Sequence, residues 1–206
     1  MSSPCDVLDF WFGGVSRSDG DDAAGSENPF QRWFGGADAF DAEIRERFGA
    51  LIDTALEGGL ADWEDDVPSR LALILLLDQF PRNVFRRTAR AFAGDERALG
   101  LARRTVANGE DERLAPAERF FLLMPYQHAE DRDTQAEGVR LFEELAALAV
   151  PGPLKKMLAS GLEYARKHCD IIARFGRFPY RNAVLGRETT AEEEKWLTES
   201  GERFGQ

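Results

Sequence analysis

Twice in this chain an arginine followed by an asparagine stands just after a proline: Phe80-Pro81-Arg82-Asn83 and, about a hundred residues later, Phe178-Pro179-Tyr180-Arg181-Asn182. Each follows an apolar stretch, Leu71 to Leu77 in one case and Ile171-Ile172 with Phe175 in the other. Proline removes a backbone donor and disturbs a helix, so both pairs are expected at helix breaks that can face a pocket. A planar guanidinium beside an amide suits a carboxylate or phosphate held in fixed geometry. The expectation is therefore that Arg82, Asn83, Arg181 and Asn182 line one cleft and bind a small anionic metabolite. Arg86 stands beside the first pair, and Asp78 is placed to brace Arg82 or Arg86.

The chain has two histidines, His128 and His168. His128 follows Pro125, where a helix break is expected, and Glu130 comes two positions later. An imidazole beside a carboxylate can be held as a general base with its pKa raised toward neutrality. This makes His128 the candidate catalytic residue, partly exposed in the cleft and oriented by Glu130. His168 falls on an apolar stripe with Met157, Gly161, Tyr164, Ile171 and Phe175, as a core-edge histidine within reach of the same site.

Other chemistries find little support. His128 with Glu130 and Asp131 lacks the i, i+4 spacing that puts metal ligands on one helical face, so no metal is expected. Cys169 lies in an apolar stripe and is expected to pack rather than react. There is no nucleophile elbow, P-loop or dinucleotide fingerprint, and no cofactor is implied. The net charge of -11 argues against a nucleic-acid partner. That charge is uneven: Arg82 to Arg104 holds seven basic residues against Asp95 and Glu96, and Lys155 to Arg187 holds eight against Glu163 and Asp170. Both Arg-Asn pairs thus lie in basic stretches of an acidic protein.

The elements that must position these residues are helical. Phe40, Ile44, Phe48, Leu51, Ile52 and Ala55 recur with a helical period, as do Val139, Phe142, Leu145 and Leu148, and Leu154, Leu158, Leu162, Ala165, Cys169 and Ile172. Leu71 to Leu77 is apolar on all sides and reads as a central helix, with Leu73, Ile74 and Leu77 sealed from solvent. Gly58-Gly59, Asn108-Gly109 and Gly152 stand where helices should stop, and Thr190 to Glu193 reads as a capping box for the last helix. No useful strand alternation exists. The reading is all-α, about eight helices in antiparallel pairs, in one domain over 1–206 with a mobile loop at 13–28. No apolar run is long enough for a membrane span, no secretory leader is evident and only two cysteines occur, so a soluble cytoplasmic protein is expected.

Asp78 to Arg86, Met124 to Glu130 and Asp170 to Asn182 together resemble the bacterial domain-of-unknown-function family 924, as do Leu8-Asp9-Phe10-Trp11-Phe12-Gly13 and Arg32-Trp33-Phe34. The resemblance spans nearly the whole chain. It implies an all-helical fold similar to tetratricopeptide superhelices and assigns no activity. The family often has a histidine where Tyr180 stands, and Met-His-Ser where Gln127-His128-Ala129 stands. Two functions follow from the residues. One is a small-molecule site, enzymatic or sensing, built from both Arg-Asn pairs and His128. The other is a helical adaptor that takes a peptide or protein partner in a groove lined by Trp11 or Trp33.

Overall fold

A computed structural model describes residues 2–13, 33–34, 38–150 and 152–201. Among these residues the protein is all-helical and has no strand. Helix α1 spans Pro4–Phe12 and α2 Asp38–Leu56. Helix α3 runs without a break through Val67–Ile74, a π segment Leu75–Gln79 and Phe80–Val84. Then come α4 (Asp95–Ala107), α5 (Pro116–His128), α6 (Arg132–Ala146), α7 (Gly152–Phe175) and α8 (Ala191–Ser200). Among the described residues these eight helices agree with the all-α reading of about eight. The mobile loop expected over 13–28 lies outside the described residues apart from Gly13, the C-cap of α1.

Local sequence explains most of the ends. Ser3 and Asp6 form a capping box on α1, Asp66 caps α3 and Asp131 caps α6 through Thr134. Thr190 and Glu193 form the capping box of α8. Gly176, at φ +70°, closes α7 in the left-handed conformation that glycine adopts at least cost.

Helix α3 is the axis of the molecule. Leu71 through Leu77 are at most 1% exposed, because α1, α2, α4 and α5 pack around this rod. Helices α5, α6 and α7 follow in sequence with short connections, so consecutive rods lie as antiparallel neighbours. Trp11, Phe12 and Trp33 are buried, with Trp33 Nε1–H donating to the Trp11 carbonyl at 2.8 Å. These aromatics clamp α1 onto the body through contacts with Phe40, Phe80 and Phe121. A second, smaller apolar cluster joins Ile171, Ile172 and Phe178, flanked by Phe175, Tyr180 and Trp196. No described helix is long and apolar enough to cross a membrane.

Neither internal proline stops its helix. Pro125 lies inside α5, which continues to His128. Pro81 sits in the first turn after the π segment, where Phe80 N–H bonds back five residues to Leu75. The wider π turn is the device that admits the ring, since proline offers no donor to Leu77 and would crowd that carbonyl in a regular helix. Gly94 packs against that same carbonyl: a Cβ at position 94 would lie 2.3 Å from the Leu77 oxygen. Because Gly94 caps α4, this contact fixes where Asp95 begins the helix. Gly94→Ala should therefore cost about 3 kcal/mol, measured by urea unfolding, since backbone rather than a flexible side chain must yield.

Candidate functional site

The π segment presents Asp78 and Gln79 to the interior, where Asp78 is fully buried. Asp78 answers three groups, His128 and Gln79 by hydrogen bonds and Arg82 as an ion pair. His128 Nδ1 lies 2.6 Å from Oδ1, Arg82 Nη1 lies 3.2 Å from the same oxygen, and Gln79 Nε2 bonds to Oδ2. An ionised carboxylate only accepts, so the His128 proton sits on Nδ1 and Nε2 carries a lone pair. Burial raises the Asp78 pKa, but Arg82, His128 and Gln79 outweigh it and hold the carboxyl well below its usual range.

Arg82 and Arg181 meet on Asp95. Arg82 grips it with both terminal nitrogens, at 2.8 and 2.9 Å, and Arg181 Nη1 reaches Oδ2 at 3.2 Å. The first arginine comes from the last turn of α3, the second from the short 3-10 turn Pro179–Arg181, and the carboxylate from the first residue of α4. Phe92 stacks near both cations, its ring centroid 5.5 Å from Arg82 Cζ and 4.4 Å from Arg181 Cζ. Phe178 lies 4.5 Å from Arg181 Cζ, and half-buried Tyr180 hydrogen-bonds with the Arg181 side chain. Burial pushes the Tyr180 phenol up, so it stays protonated.

His168 closes the group. Its Nδ1 donates to the Tyr164 carbonyl one turn earlier, at 2.7 Å, which fixes the same tautomer as in His128. Its ring lies 6.3 Å from His128 and 5.3 Å from Phe178, edge to face in both cases. Burial, helped by His128 and the nearby arginines, takes its pKa to about 3. Both imidazoles are thus neutral near pH 7.

Several expectations need correction. The carboxylate that holds His128 is Asp78, not Glu130. The chain turns extended at Ala129, so Glu130 points to the 178–187 segment, accepting from Phe178 N–H at 2.7 Å and pairing with Arg187 at 2.5 Å. His128 is 8% exposed rather than open, and its pKa is lowered rather than raised, because burial and Arg82 outweigh Asp78. The Arg-Asn pairs do not act as pairs. Successive helical residues diverge by about 100°, so Asn83 leaves Arg82 and bonds to Asp41. Arg86 forks onto the same Asp41. Asn182 turns to Thr189 and Glu193, bracing the start of α8.

Asp78, Arg82, His128, His168 and Arg181 therefore come together, while Asn83, Arg86, Glu130 and Asn182 serve neighbouring struts. Asp95 and Phe92 were missing from the sequence reading. One available signal was the Phe92-Ala93-Gly94-Asp95 run, where an acid opens a helix next to two cationic segments. Among the described residues no group of three metal-ligating side chains exists.

Chemically, the group holds two cations and two carboxylates of balancing charge, of which Asp78 and Arg181 are buried and Arg82 and Asp95 are partly buried, with two neutral bases beside them. An imidazole fixed through Nδ1 by a carboxylate is built to take and return a proton at Nε2. A π turn inside an α-helix often marks such sites.

Residues 7–201 match the model of a bacterial protein family of unknown function, DUF924. A solved structure of a protein of unknown function from Agrobacterium tumefaciens is similar, at 36% identity and a TM-score of 0.77 over 95% of this chain and 97% of that one. No curated protein matches the chain. With the family match running from α1 to the end of α8, this protein belongs to the DUF924 family of bacterial proteins of unknown function.

Proposed function

We propose that this protein binds a small metabolite bearing a carboxylate or phosphate beside Arg181 and Arg82, and that His128, held by Asp78, is the acid/base group for any turnover of it. One observation carries the reading. Two guanidinium groups from distant Phe-Pro segments share the single carboxylate of Asp95, next to a histidine–aspartate pair on a π turn. Asp78 and Arg181 are buried, and Arg82 and Asp95 partly so; each buried ion costs several kcal/mol before its attraction to a partner offsets it, and apolar residues of equal volume would hold the fold as well. Such an expense fits a site better than a scaffold. The two free cysteines fit a reducing compartment, and a cytoplasmic location is part of the proposal. The adaptor reading has less to rest on, since Trp11 and Trp33 are buried in the core.

The test is a thermal-shift screen with carboxylate and phosphate metabolites, followed by native mass spectrometry of any hit. Saturation at a hundredfold excess over Kd stabilises by about 2.7 kcal/mol, which is readily seen. Arg181→Ala should abolish that stabilisation. His128→Gln should keep binding and lower any turnover by roughly a hundredfold or more. Stabilisation that survives Arg181→Ala undiminished would refute the proposal.

A further inference from the structure

Resting on that anion-site reading, we infer that Arg181 selects a planar monocarboxylate over a tetrahedral phosphate. Arg181 is 4% exposed, and its Nε–H is buried with no hydrogen-bond partner among the described residues. A buried donor left without an acceptor costs about 1–3 kcal/mol, so an acceptor is expected there. The guanidinium has little freedom to turn toward one elsewhere. Nη1 is committed to Asp95, and the Phe92 and Phe178 rings stand 4.4 and 4.5 Å from Cζ. Phe178 is itself fixed, its N–H on Glu130 and its ring against His168.

With Asp95 and Tyr180 both bonded to this side chain, the position left to a ligand is at Nε, in the plane of the guanidinium. A carboxylate lies in that plane with both oxygens, the fork-to-fork arrangement arginine prefers. A phosphate would use two oxygens in the same way. Its remaining oxygens would then lie out of that plane, where the Phe92 and Phe178 rings stand 4.4 and 4.5 Å from Cζ. Charge favours the same choice. Arg82 and Arg181 balance Asp78 and Asp95, and both imidazoles are neutral, so a monoanion leaves the group at -1 and a dianion at -2. Asp95 stands within 3.2 Å of Arg181 and repels the second charge directly.

The experiment follows the Arg181 Nε–H resonance by proton–nitrogen NMR at pH 7.5 and constant ionic strength, with Arg181→Lys identifying the peak. Propionate and methyl phosphate are titrated separately. Propionate should shift the resonance to saturation, and methyl phosphate should need at least about tenfold more for half-saturation. Equal or tighter binding of methyl phosphate would overturn this inference and leave the anion-site reading standing. A resonance that neither compound moves to saturation would overturn both. Arg181→Lys retains the charge and loses the planar edge, so a folded variant, judged by circular dichroism, should lose the preference for propionate. If that variant does not fold, the wild-type titrations, with the peak assigned through the backbone, decide alone.

Discussion

Asp78→Ala should destabilise this protein by about 3–5 kcal/mol, the cost of removing one partner from a buried ion pair. The carboxylate it deletes is fully buried and answers Arg82, His128 and Gln79 at once. Arg82 retains Asp95, but it keeps its charge in a site that has lost half of the balancing anions. A typical domain has only about 5–15 kcal/mol in total, so the variant should be marginal at 37 °C. Asp78→Asn keeps an acceptor for His128 Nδ1–H and the volume of the side chain. It should therefore fall between the two in a urea titration. A loss below about 1 kcal/mol for Asp78→Ala would mean that Arg82 does not depend on this carboxylate.

Acid should weaken the protein well above the range where carboxylates protonate, and His168 should be a main cause. Its folded pKa of about 3 lies below the ordinary 6.5 because burial disfavours the cation. Above pH 6.5 neither the folded nor the unfolded state carries the proton, and the histidine costs nothing. Below 6.5 the unfolded chain takes up a proton that the folded chain refuses, so stability falls until the pH nears 3. From pH 7.5 to pH 5 this one group removes about 2 kcal/mol. His128 is shifted in the same direction and adds to the loss. His168→Gln should flatten the stability curve between pH 7 and 5, while wild type and variant converge in slope above pH 7. An unchanged slope in the variant would show that His168 takes up its proton in the folded state. At lower pH the depressed carboxyls take over: Asp78, and Glu193 held at about 2 by Arg177, contribute stability above the ordinary carboxylate range that is lost as pH falls toward their folded values.

The helices were legible because apolar period and caps are local properties. The Phe40 to Ala55 stripe, the all-apolar Leu71 to Leu77 run and the Thr190–Glu193 box each name their own element. The site was legible only in part. Arg82, Arg181, His128 and Asp78 could be singled out by type and by the prolines beside them, but their partners are set by tertiary packing. Glu130 is adjacent to His128 in sequence and looked like its brace. The extended turn at Ala129 sends it elsewhere, and the brace arrives from fifty residues away. The environment inverted the second expectation. Neighbouring acids in the sequence suggest a raised histidine pKa, whereas burial near Arg82 lowers it. The π turn left no such local trace: a proline follows an apolar helical run at both Pro81 and Pro125, yet only Pro81 stands after a π segment, while Pro125 lies inside a regular helix.

The most direct test of the central claim, that His128 is a neutral base fixed by Asp78, is long-range proton–nitrogen NMR of the two imidazoles as a function of pH. The structure predicts that both rings are neutral at pH 7 with the proton on Nδ1 and Nε2 bare, that His168 stays so while the fold persists below pH 5, and that Asp78→Ala changes the His128 signals far more than those of His168. An imidazolium at His128 at pH 7, or a His128 proton resident on Nε2, would contradict it.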